Sequence, residues 1–167
     1  MFKWFPLLVP VLLALPAEAA SLDLRSDVDN ASTLQTLSVD RSNVTFNSAL
    51  GASGTAVVVW RARISGNPSG ASFTIKRSVL GGTAPDAVIA GARLYAEDGA
   101  GAVPFTPNSK FASGVALSEV SMTEDNLGTA VGNGVCRFKL RLAVNTQSPA
   151  GAGTINTTLL IVGALNP

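Results

Sequence analysis

The feature that most constrains this chain is an alternation of apolar and charged side chains with a period of two. Over residues 135–144, Cys136, Phe138, Leu140, Leu142 and Val144 fall on one side, and Arg137, Lys139 and Arg141 fall on the other. A helix would scatter the two sets around its circumference, whereas a strand sorts them onto opposite faces. The same period runs through residues 56–64, where Val58, Trp60, Ala62 and Ile64 oppose Arg61 and Arg63. Residues 71–79 set Ala71, Phe73, Ile75 and Val79 against Ser72, Thr74 and Lys76. Weaker patterns predict strands over 34–39, 43–46, 87–96, 114–123 and 154–163. A short helix over 85–92, with Asp86 in its first turn, competes with the strand over 87–96.

Between these stretches lie glycine-rich turns such as Gly66-Asn67-Pro68-Ser69-Gly70, Asp98-Gly99-Ala100-Gly101 and Gly132-Asn133-Gly134. Short alternating segments separated by such turns are the pattern of an all-β sandwich or barrel. A strand that is apolar on one side covers one core, so two such sheets are expected to pack face to face. No linker or internal repeat divides residues 20–167, which read as a single β-sandwich domain.

Residues 1–19 read as a secretory signal peptide. Lys3 supplies the positive start, an apolar run follows to Leu15, Pro16 breaks it, and Ala17-Glu18-Ala19 fits a small-x-small cleavage site. The run is shorter than the roughly 20 residues of a membrane span, and so is the apolar stretch at 159–162. The expectation is a secreted, periplasmic or cell-surface protein with no membrane span in its mature form. The chain has no histidine and one cysteine. That removes the histidine-based nucleophile triads, histidine-containing zinc sites and any intramolecular disulfide. A net charge of +1 argues against nucleic acid as the main partner. No catalytic, metal-binding or cofactor-binding residue is assigned, and the chain is read as non-enzymatic.

The mature N-terminus alternates as well. Leu22, Leu24 and Val28 share a face with Ser26, and Asp23, Arg25, Asp27 and Asp29 lie opposite. Three readings stay open for residues 20–30: the first strand of its own sandwich, a strand donated to the sheet edge of another copy, or a tail. Donation would insert Leu22, Leu24 and Val28 as a row into a neighbour's core. The succession of a signal peptide, an alternating first strand, Val44-Thr45-Phe46, a Gly51-Ala52-Ser53-Gly54 turn and a last strand after Ser148-Pro149-Ala150-Gly151 resembles secreted bacterial fimbrial and spore-coat-U-like subunits. The resemblance implies an immunoglobulin-like antiparallel β-sandwich, assembled by donated strands with copies of itself or other surface subunits. The chain lacks the cysteine pair of the typical pilin and has no aromatic residue near the end of its last strand.

Three further sets of residues carry expectations. Cys136 sits on the apolar side of its strand and reads as a small core residue. Arg61, Arg63, Arg137, Lys139 and Arg141 occupy the polar sides of two strands. If those strands are neighbours, the five cations form one patch able to hold an anionic surface polymer. The acidic groups at Glu97-Asp98 and Glu124-Asp125-Asn126 read as solvated turns. The functional expectation is therefore a structural subunit of a surface filament, coat or biofilm matrix. The alternative is a monomeric module that binds an extracellular glycan or polyanion.

Overall fold

The computed structural model describes residues 21–28, 35–39, 43–50, 54–144 and 153–166. The expected signal peptide, the Asp29 end of the N-terminal acidic stretch and the Ser148–Gly151 turn lie outside the described residues. In chain order the elements are β1 (Ser21–Val28), β2 (Gln35–Val39), β3 (Asn43–Leu50), β4 (Gly54–Ser65), β5 (Gly70–Gly81), α1 (Asp86–Gly91), β6 (Arg93–Asp98), β7 (Phe105–Pro107), α2 (Ser109–Ala112), β8 (Val115–Ala116), a 3-10 turn (Leu117–Glu119), β9 (Asp125–Val131), β10 (Gly134–Val144) and β11 (Gly153–Asn166).

The strands form two antiparallel sheets. The first has the order β1-β4-β10-β6-β8 and the second β2-β3-β11-β5-β9-β7. From β3 onward each successive strand changes sheet. The glycine turns read from the sequence are thus mostly corners between the two layers.

One apolar core lies between the sheets. Val58, Trp60, Ala62 and Ile64 of β4 and Cys136, Phe138, Leu140 and Leu142 of β10 are buried from one side, and Ala71, Phe73 and Ile75 of β5 and Ile155, Leu159 and Ile161 of β11 from the other. Its centre is aromatic. Phe138 stacks on Trp60 at 6.2 Å and meets Phe73 and Phe105 of the second sheet at 5.0 and 4.7 Å between ring centroids. Pairs at these separations add about 0.5–1.5 kcal/mol each beyond the area they bury.

The structure corrects three expectations. Residues 87–96 are not one strand. Pro85 precedes a helical turn that buries Val88 and Ile89, and only from Arg93 does the chain extend into β6. The strand expected over 114–123 shrinks to two residues, because Leu117–Glu119 form a 3-10 turn and burial passes from Leu117 to Val120. Arg77 accounts for that turn: its side chain donates to the carbonyls of Ser118 and Val120, and its backbone N–H to that of Ser121.

Val79, expected in the core, is 47% exposed. A bulge is the reason. Arg77 pairs with Leu159 and Val79 with Thr158, so Ser78 is the extra residue. One inserted residue moves every later side chain to the other face. Leu80, opposite Thr157, packs against the core instead, and the Thr157 hydroxyl donates to the Val79 carbonyl at 2.9 Å.

A second bulge hid β9 from the sequence reading. Phe73 pairs with Gly128 and Thr74 with Asn126, which leaves Leu127 unpaired. Leu127 and Gly128 are both buried, so the alternation breaks where the strand turns over. Gly128 lies beneath the Phe105 ring, and an added Cβ would also come within 2.6 Å of the Thr106 carbonyl oxygen. Backbone cannot yield as a flexible side chain can. Gly128→Ala is therefore expected to lower stability by about 1–3 kcal/mol. The check is a lower urea midpoint at unchanged slope.

Candidate functional site

The period-two alternation that buries one side of β4 and β10 places their charges on the solvent side of the first sheet. The two strands are direct neighbours, with Phe138 opposite Trp60 and Arg137 opposite Arg61. Arg61, Arg63, Arg137, Lys139 and Arg141 thus share one face. Arg63 lies opposite Val135, Lys139 opposite Val59 and Arg141 opposite Val57. Arg63 and Arg137 are exposed and the other three half-exposed.

The neighbouring strands complete this face. On one side, β1 sets Asp23 opposite Arg63, Arg25 opposite Arg61 and Asp27 opposite Val59. On the other, β6 sets Glu97 opposite Lys139 and Tyr95 opposite Arg141. One row across three strands therefore reads Arg25, Arg61, Arg137, with no acid in it. Directly opposed residues share a face at about 4.5–5.5 Å, and like charges so placed weaken a sheet.

Arg141 is already engaged. Two of its guanidinium nitrogens contact one Glu97 carboxylate oxygen at 2.8 and 2.9 Å, and its plane lies 4.1 Å from the Tyr95 ring centre. The sequence reading did not see this engagement, because residues 95, 97 and 141 meet only through the β6–β10 register. The alternation places Arg25 on a polar face but cannot join it to the patch, since the β1–β4 register is equally long-range.

The residues of the expected donor row lie along the inner side of β1. Leu22 is opposite Ile64, Leu24 opposite Ala62 and Val28 opposite Val58. Leu22 packs against the core. Its seat is Gly163 of β11, where an added Cβ would come within 2.6 Å of Leu22 Cδ2. Leu24 and Val28 are described by register alone. In this structure β1 pairs within its own chain.

Two of the acids expected in solvated turns lie instead at strand ends and act as ties. Asp98, the last residue of β6, accepts from the Phe105 N–H, and Asp125, the first of β9, accepts from Lys110 at 2.6 Å. No three His, Cys, Asp or Glu side chains gather as a metal site among the described residues. No described helix is long and apolar enough to cross a membrane.

Cys136 is fully buried in β10. Burial, reinforced by the negative charge of Asp98, pushes its thiol from an ordinary 9.0 up to about 11. Such a thiol is protonated and shielded at neutral pH, which makes it a packing group.

No family model, no curated protein and no solved structure matches the chain.

The raised thiol value has a pH consequence. The folded chain holds this proton more tightly than the unfolded chain does. Its effect on stability is therefore constant below 9.0, and stability falls as pH climbs from there through about 11. Cys136→Ala should flatten that part of the alkaline profile, measured by urea unfolding at stepped pH. A thiol reagent should react with the native protein only after unfolding.

Proposed function

We propose that this chain is a secreted, non-enzymatic structural protein with an immunoglobulin-like β-sandwich, a subunit of a surface filament, coat or matrix that joins copies by exchanging strand β1. The observation that carries the reading is the position of β1. It is the first described strand, it forms an edge of its sheet, and all eight of its residues pair with β4 alone. A terminal edge strand can leave without breaking any other pairing. Its seat in a second copy is identical to its own, so exchange conserves the contacts and joins the chains.

The seat also has a size pattern. Facing pairs run Leu22 with Ile64, Leu24 with Ala62, Ser26 with Trp60 and Val28 with Val58. By register, a large residue of β4 stands opposite a small one of β1 at Trp60, and the reverse holds at Ala62. Interiors pack closely, so a strand of different size order would leave voids or clash. The segment that fits this seat best is β1 itself, from the same chain or from another copy.

Two single variants test the exchange. Asp23 and Arg63 face each other on the solvent side. Chains carrying Asp23→Cys are mixed with chains carrying Arg63→Cys, both on a Cys136→Ala background, and then oxidised. A disulfide-linked pair of unlike chains is expected. None is expected when Lys76→Cys, on the other sheet, replaces Arg63→Cys. Cross-linking confined to a chain that carries both substitutions, with none between chains, would refute exchange.

A further inference from the structure

The geometry points to a second site, on the solvent face of the first sheet, that binds a linear acidic polysaccharide along Arg61, Arg63, Arg137 and Lys139. It is independent of strand exchange, because all four residues lie on β4 and β10.

The first support is the charge arrangement. The whole chain is nearly neutral at +1, yet cations crowd this face. Its acids are Asp23, Asp27 and Glu97, of which Asp23 is engaged and Glu97 is held by Arg141. Arg61 and Arg137 stand directly opposite each other with no acid in their row. An anion placed over such a pair would relieve a repulsion that the folded chain otherwise bears. Guanidinium groups also suit the task, since their planar forks match carboxylate and sulfate oxygens two at a time.

The second support is shape and spacing. Successive cations along β10 are two residues apart, about 6.8 Å, and cross-strand neighbours lie about 5 Å apart. The result is a grid of charge across two paired strands, suited to an extended chain with repeated charge. An extended acidic glycan repeats its charged group on a comparable scale.

The third support separates a glycan from a nucleic acid. Single strands are held by open aromatic rings on which bases stack. The one aromatic residue at the described outward positions of β4, β10 and β6 is Tyr95, and the Arg141 guanidinium lies over it at 4.1 Å. The grid therefore offers charge and hydrogen bonds without a stacking platform.

The opposite face of the molecule supplies the control. At the outward positions of β5 and β11 stand Ser72, Thr74, Lys76, Thr158 and Val162, which carry a single cation. The experiment measures binding of the full mature chain to dextran sulfate, to polygalacturonate and to single-stranded DNA over a range of salt. Arg61→Ala/Arg137→Ala is expected to weaken polysaccharide binding at least about tenfold and to lower the salt slope by about two. Its thermal midpoint should equal or exceed that of the unaltered chain, because the substitution removes a repulsion. Lys76→Ala should bind as the unaltered chain does.

Binding to dextran sulfate alone identifies sulfate as the recognised group, and binding to polygalacturonate alone identifies carboxylate. Either result supports the site. Three outcomes overturn it: no loss in the double variant, an equal loss in Lys76→Ala, or DNA bound as tightly as the better polysaccharide.

Discussion

Phe138 lies within 5.0 Å, centroid to centroid, of two rings in the opposite sheet and stacks on Trp60 in its own. That contact places β10 at the middle of the first sheet, with β4 on one side and β6 on the other. Turning Phe138 inward leaves Arg137 and Lys139 no direction but outward, because adjacent side chains of a strand point oppositely. Setting Phe138 opposite Trp60 then sets Arg137 opposite Arg61 one position on. The cationic row is thus the reverse side of the aromatic core. Moving one register position would bury the arginines and expose the rings, so burial of the core holds the repelling charges in line.

The strands that could be read from sequence are those in which a single period runs unbroken. β4 and β10 were legible almost residue by residue, because both alternate cleanly and lie mid-sheet with one face buried. The bulges were not legible. At Ser78 and at the Leu127–Gly128 step an extra residue changes the phase, and a period-two template reads the result as an exposed valine or as no strand at all. α1 falls within the competing helix read over 85–92, with Asp86 in its first turn. The 3-10 turn was not legible, because it is too short for helical periodicity to outweigh a few alternating positions and the Arg77 bonds that tie it come from another strand.

The candidate site divides in the same way. Which residues face outward on a strand is local information, and the five cations were found that way. Which strands lie side by side is long-range information, because the chain crosses between layers at each step from β3 onward. Sequence neighbours therefore seldom become sheet neighbours. The addition of Arg25 to the row and the capture of Arg141 by Glu97 and Tyr95 depend on pairings that join distant segments. Such non-local order makes folding slow and leaves sheet edges open for longer. Charges on the outer side of an edge strand counter unwanted edge pairing, and β1 carries Asp23, Arg25 and Asp27 at those positions.

Trp60 shows what the core tolerates in exchange for packing. Its ring is fully buried and its indole N–H has no acceptor among the described residues. An unmet buried donor costs about 1–3 kcal/mol. Against that, a Trp side chain covers about 150–250 Å², and at about 25 cal/mol per Å² this returns roughly 4–6 kcal/mol. Phenylalanine would remove the unmet donor but would also remove volume beside Phe138, on which the indole stacks. The polar defect is therefore best understood as tolerated because the ring fills the core against Phe138. On the outer side of the sheet the β1–β4 register sets Asp23 opposite Arg63 and Arg25 opposite Arg61. An attractive and a repulsive pair thus alternate along that edge, so charge alone neither fixes β1 on β4 nor drives it off.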